Sequence, residues 1–114
     1  MKLALVLTSA LMLVACARKL PPPVTAADVS WAQQRWPSTN QAELEHGRKL
    51  LLSKCGGSCH RPPLPADQPP EAWPGHVDEM AERSGLTAQT REALERYLIT
   101  LARPLTSPTA SATR

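Results

Sequence analysis

Prolines constrain this 114-residue chain more than any other feature. Six of its twelve prolines lie between Arg61 and Pro74. Proline lacks a backbone N–H and clashes with the preceding helical turn, so this stretch excludes a continuous helix or a central strand. Regular structure is therefore expected on either side of the prolines, and no strand pattern or internal repeat is visible in the sequence.

Capping residues and apolar periodicity predict four helices. On the second helix, Leu44, Gly47, Leu51 and Cys55 recur at spacings of three and four and so share one face. The fourth carries an apolar stripe of Leu94, Tyr97, Leu98 and Leu101. The first helix is expected to run from an Asp28 cap to Trp36, and the second from a capping box (Ser38 with Gln41, or Asn40 with Glu43) to about Lys54. The third is expected to begin between Glu71 and Pro74 and to end at Ser84, with Gly85 as a left-handed cap. The fourth is expected to run from a Thr87 cap to about Ala102, before Pro104.

The composition leaves little large apolar surface for a core. The chain has no Phe, one Tyr and three Trp. Domains of this size usually add a disulfide, a metal or a cofactor as a staple. The formal charge of +3 is spread along the chain, and it falls to about +2 if a leader containing Lys2 is removed. Scattered basic residues argue against nucleic acid as a partner.

The first 16 residues have the pattern of an export signal, with Lys2 followed by an apolar run too short to span a bilayer. Its end, Leu13-Val14-Ala15-Cys16, resembles the lipobox of bacterial lipoproteins. The resemblance implies that Cys16 becomes the acylated N-terminus and anchors the chain in the cell envelope, facing the periplasm. Ala17 in place of Asp mildly favours the outer membrane. The alternative is an ordinary signal peptide followed by a chance cysteine.

The second helix ends in Cys55-Gly56-Gly57-Ser58-Cys59-His60. The common attachment motif of c-type haem has two residues between its cysteines and His directly after the second. This motif has three, and Gly-Gly-Ser is small and permissive enough to form a bulge. Two other readings stay open: a Cys55–Cys59 disulfide, and a zinc site that uses Cys55, Cys59, His60 and one more ligand.

Beyond this motif, the sequence resembles the class I c-type cytochromes over about residues 41 to 102. That family packs its first helix against its last through a glycine, a bulky residue four positions later and the first haem cysteine four later again. Gly47, Leu51 and Cys55 match this spacing, and Leu94 with Tyr97 match the family's pair on the last helix. A glycine at such a crossing allows the two backbones to approach closely.

The resemblance implies an all-α fold, a small class I cytochrome c-like helical domain wrapped around one covalently attached haem c. Cys55 and Cys59 would hold the porphyrin and His60 would be the proximal iron ligand. Met80 would be the sixth ligand, with His76 as the alternative; without haem, Met80 would be core, in a stripe with Trp73 and Val77. Trp73 is expected to pack on the haem or core, with its ring nitrogen available to a propionate.

The resulting hypothesis is a membrane-anchored one-electron carrier between redox proteins of the envelope, and not an enzyme, because two axial ligands leave no open site on the iron. The alternatives are a haem-based sensor or small-ligand binder and a haem-free, disulfide-stapled structural lipoprotein. The expected organisation is a signal peptide (1–15), an anchor with a proline-containing tether and short helix (16–40), the haem domain (41–104) and a disordered tail (105–114).

Overall fold

The computed structural model describes residues 19–55 and 61–105. Within these ranges the chain is 71% helical and has no strand, which confirms the all-α class. The signal peptide, Cys16, Cys59, His60 and the tail after Leu105 lie outside the described residues. In chain order, the helices are α1 (Ala26–Arg35), α2 (Gln41–Leu50), a π-helical turn (Leu51–Cys55), two 3-10 turns (Pro65–Asp67 and Pro70–Ala72), α3 (Trp73–Ser84) and α4 (Ala88–Ala102).

Helix α1 begins one turn earlier than expected. Thr25 is its N-cap, and Asp28 is the third helical residue of a reciprocal capping box. The Thr25 N–H donates to Asp28 Oδ2 at 2.7 Å, and the Asp28 N–H donates to Thr25 Oγ1 at 3.3 Å. The expected Asp28 cap is therefore wrong, because a Thr three residues upstream pairs with the same carboxylate.

Helix α2 uses the second of its two possible caps. The Glu43 N–H donates to Asn40 Oδ1 at 2.9 Å, and the helix begins at Gln41. Its α-helical hydrogen bonding ends at Leu50, and the π-helical turn carries the chain on to Cys55. The expected helix to about Lys54 is thus matched in extent, but its last turn is π-helical rather than α-helical. Single π turns are rare and have no propensity signal in the sequence.

The proline-rich stretch forms the two short 3-10 turns and then leads into α3, as the exclusion of regular structure predicts. Helix α3 has Pro74 in its first turn and ends at Ser84, and Gly85 has φ 64°. A left-handed residue at this place favours glycine, since it carries no Cβ. The Thr90 N–H donates to the Thr87 hydroxyl, so the expected cap of α4 is confirmed.

The core lies where α4 packs against α2, α3 and α1. Helix α4 is central because it contacts every other α-helix of the described chain. Its stripe is confirmed: Leu94, Tyr97 and Leu98 are fully buried, and Leu101 is half-buried. The remaining buried apolar residues are Val24, Ala32, Leu44, Leu50, Leu51, Trp73, Val77, Ala93 and Ile99.

The segment expected to be a proline-containing tether is packed onto the helices at Pro21 and Pro22. Arg48 Nε of α2 donates to the carbonyl oxygen of Pro21 at 3.0 Å, and Tyr97 Oη of α4 donates to that of Pro22 at 2.6 Å. Pro21 is fully buried. Composition predicts the extended conformation of such a segment, but hydrogen bonds to residues far along the chain decide whether it is free.

Candidate cofactor-binding site

The site is built on the crossing of α2 and α4 at Gly47. A Cβ atom at this position would lie 2.7 Å from Tyr97 Cβ and 2.9 Å from the carbonyl carbon of Ala93. Real Cβ atoms essentially never approach another atom this closely. The predicted close approach of the two backbones is therefore confirmed, and glycine is required here for space.

The crossing at Gly47 sets the orientation of α2, and so it sets the position of Cys55 at the end of the turn that follows α2. Leu44 and Gly47 are buried on the face toward α4, and Leu51 is fully buried at the start of the π-helical turn. Cys55 ends the turn half-buried, packed against the margin of the core. Burial raises the pKa of the Cys55 thiol. The predicted shared face from Leu44 to Cys55 is thus confirmed.

Helix α3 faces the same part of the molecule and contacts the π-helical turn. Trp73 and Val77 are buried, and Met80 is half-buried against the core. Met80 also borders an open cavity of about 230 Å³. Its walls are formed by residues of α3 and of the proline-rich stretch, namely Pro63, Asp67, Gln68, Trp73, His76, Glu79 and Met80.

The indole N–H of Trp73 already has a partner. Trp73 Nε1 donates to the carbonyl oxygen of Pro65 at 3.0 Å, and this hydrogen bond is buried. An indole has a single N–H, so the expectation that it is available to a propionate is wrong. The hydrogen bond instead ties the first 3-10 turn to the start of α3, and so fixes one wall of the cavity.

His76 lines the cavity but is exposed to solvent. Its ring meets that of Trp73 edge to face with centroids 5.9 Å apart. Met80, one turn further along α3, is half-buried. Between the two candidate ligands on α3, Met80 is therefore the one that the fold turns toward the core.

The structure thus brings Cys55 and Met80 to the margin of one apolar core. Within residues 19–55 and 61–105, no three His, Cys, Asp or Glu side chains cluster as a metal site. Sequence reasoning missed the cavity walls Pro63, Asp67 and Gln68. The sequence offered one signal for them, which is that all three lie between the candidate site residues His60 and Trp73.

No helix in the part of the chain that the structure describes is long and apolar enough to cross a membrane. No protein-family model matches the chain, and no curated protein or solved structure matches it.

Proposed function

We propose that the chain is a lipid-anchored monohaem c-type cytochrome that carries single electrons between redox proteins of the bacterial envelope. In this proposal Cys16 is the acylated anchor, Cys55 and Cys59 hold the porphyrin, and His60 and Met80 are the axial ligands. The observation that carries the proposal is the close crossing at Gly47, on the helix that delivers the Cys55 thiol to the margin of the core.

The crossing supports the proposal because two separate sequence matches meet in it. Gly47 stands eight residues before the first motif cysteine, and Tyr97 belongs to the matching pair on the last helix. These residues are fifty positions apart in the sequence, and the fold places the Tyr97 Cβ directly over the missing side chain of Gly47. This packing contact is made by residues outside the Cys-His motif, and so it adds an observation of the fold to the sequence match.

The described residues fit a covalently held haem. A half-buried thiol and a half-buried thioether border the same apolar core, and a thioether is a soft ligand that favours ferrous iron. Haem, when bound, supplies a reversible one-electron couple. The chain would hold the group through Cys55, and Met80 would raise the reduction potential and close the sixth position, which leaves no place for substrate turnover.

The proposal is tested first by haem staining of a denaturing gel and an alkaline pyridine haemochrome spectrum. The protein should be exported in a host with c-type maturation. We expect a covalent haem signal, and an α band that distinguishes two thioethers from one. The matched variants Cys55→Ser and Cys59→Ser are each expected to shift the α band to the single-thioether position. A colourless, folded and correctly exported protein would contradict the proposal and favour the disulfide-stapled lipoprotein.

A second prediction concerns the sixth ligand. Carbon monoxide is not expected to bind the reduced wild-type protein at neutral pH, whereas the reduced Met80→Ala variant is expected to bind it, because removal of the thioether opens the iron. His76→Ala is the matched control on the same helix and is expected to leave the Soret band and the reduction potential unchanged. Carbon monoxide difference spectra of both variants measure the binding, and a redox titration of His76→Ala measures its reduction potential.

The cavity of about 230 Å³ beside Met80 is the observation that favours a second candidate, a haem-based sensor or small-ligand binder. If this second candidate is correct, the reduced wild-type protein is expected to bind carbon monoxide at neutral pH. If reduced His76→Ala binds carbon monoxide and reduced Met80→Ala does not, His76 is the sixth ligand.

A further inference from the structure

An apolar groove opens where the N-terminal segment meets the proline-rich stretch and the end of α4. Its volume is about 320 Å³, and among its wall residues only Pro65, whose carbonyl oxygen accepts from Trp73, also belongs to the candidate site. Leu20 is 60% exposed at this place, a large exposed fraction for a leucine. The apolar walls are formed by Leu20, Pro22, Leu64, Pro65, Ala66 and Leu101.

The groove has a basic rim. Lys19 lines it and also lines an adjoining groove of about 380 Å³ that contains Arg61 and Asp67. Lys19 and Arg61 are exposed. Two cations beside one carboxylate, next to an apolar hollow, match the boundary of a bilayer, where phosphate headgroups adjoin acyl chains.

The position of the expected lipid anchor restricts where this groove can lie. Cys16 precedes Lys19 by three residues, and an extended chain covers about 3.5 Å per residue, so the two Cα atoms are within about 10 Å of each other. From Pro21 onward the segment is fixed to α2 and α4 by the hydrogen bonds of Arg48 and Tyr97. An acylated Cys16 therefore keeps the groove close to the membrane surface, because only Ala17 and Arg18 lie between it and Lys19.

We propose that the groove lined by Leu20, Leu64 and Leu101 docks on the bilayer itself and fixes one orientation of the domain on the membrane. This inference rests on the acylation of Cys16, which belongs to the proposed function. Lys19 and Arg61 contact the headgroup phosphates, and the leucines contact the upper acyl chains.

The test uses the full acylated protein in vesicles of phosphatidylethanolamine and phosphatidylglycerol. The vesicles contain a phospholipid with a diazirine near its acyl carbonyl, and crosslinked peptides are mapped by mass spectrometry. We expect about fivefold more crosslinking in the peptides of Leu20, Leu64 and Leu101 than in those around the groove lined by Trp36 and Arg91.

Two exposed leucines provide matched variants. Leu20→Asp places a charge in the groove, and we expect it to lower crosslinking at Leu64 and Leu101 about fivefold. Leu105→Asp changes a leucine that is 81% exposed and does not line the groove, and we expect no effect. Both sites are exposed, so far-ultraviolet circular dichroism is expected to show the same helix content and melting in both variants.

The failure of this inference is distinguishable from failure of the proposed function. The mass of the N-terminal peptide reports acylation of Cys16, and the pyridine haemochrome reports haem; neither depends on the groove. With acylation confirmed, evenly spread crosslinks, or equal crosslinking in wild type and Leu20→Asp, would overturn the docking. Groove crosslinks that appear only after deletion of residues 106–114 would identify the tail as the occupant and would also overturn it.

Discussion

Gly47→Ala is expected to lower the free energy of unfolding by about 3 kcal/mol or more. The added methyl group would meet Tyr97 Cβ at 2.7 Å, the carbonyl carbon of Ala93 at 2.9 Å and, closer still, the carbonyl oxygen of Ala93. Neither neighbour is the flexible end of a side chain, so relief requires α2 and α4 to move apart. For a domain of this size the loss corresponds to a fall in Tm of about 12–24 °C, measured by thermal unfolding of the mature protein.

Gly75→Ala is the matched control. Gly75 lies in the first turn of α3, and no atom lies within 4 Å of the position its Cβ would take. Alanine is the better helix former, so this variant is expected to stabilise the protein by about 0.5–1 kcal/mol. Equal unfolding free energies for Gly47→Ala and wild type would contradict the close crossing, and with it the main support for the proposed function.

Asp28→Ala is expected to lower the free energy of unfolding by about 3–5 kcal/mol. Asp28 is 5% exposed, and its Oδ1 accepts from Arg103 Nη1 at 2.7 Å while its Oδ2 accepts from the Thr25 N–H at 2.7 Å. Truncation removes the α1 capping box and leaves the guanidinium of Arg103, whose side chain is 12% exposed, without its carboxylate partner and with the Thr100 carbonyl as its remaining acceptor. Urea unfolding at neutral pH measures the loss.

The exposed pair of Asp78 and Arg91 provides the control. Their side chains are 54% and 43% exposed, so Asp78→Ala is expected to cost less than about 1 kcal/mol. If Asp78→Ala and Asp28→Ala lowered the free energy of unfolding by similar amounts, burial of the Asp28–Arg103 pair would contribute nothing to stability.

The same buried carboxylate predicts a pH dependence of stability. Burial by itself raises the pKa of Asp28, but the hydrogen bonds from Thr25 and Arg103 outweigh it and hold the pKa below its ordinary value of 3.8. The folded state therefore binds the proton more weakly than the unfolded state. The stability from Asp28 is complete above the ordinary pKa and is lost as the pH falls through the lower, folded value. Unfolding of Asp28→Asn, which carries no charge, is expected to depend less on pH in this acid range.

The starts and ends of the helices were largely predictable because their signals are local. Thr87 and Gly85 act on backbone groups within a few residues of themselves, so their roles follow from the sequence alone. For α2 the sequence offered Ser38 or Asn40, and only the structure selects Asn40. Asp28 shows the limit of this reasoning. Its carboxylate was recognised as part of a cap, but the choice of Thr25 as the N-cap required the reciprocal hydrogen bonds of the folded chain.

The candidate site was predictable in part. The spacing of Gly47, Leu51 and Cys55 fixed one helical face, since three- and four-residue steps return to the same side of a helix. The partner of the Trp73 indole was not predictable, because the Pro65 carbonyl competes with every other acceptor in reach and only the path of the 3-10 turns decides between them.

By itself, the sequence determined the all-α class, the caps at Gly85 and Thr87 and the exclusion of regular structure by the prolines. These follow from backbone chemistry and from periodicity within single helices. Only the tertiary structure decided that the segment of Pro21 and Pro22 is packed, since Tyr97 reaches Pro22 from 75 residues away. It also decided that the Trp73 indole donates to the carbonyl oxygen of Pro65. Such choices depend on which surfaces meet when the chain collapses, and local sequence patterns do not contain that information.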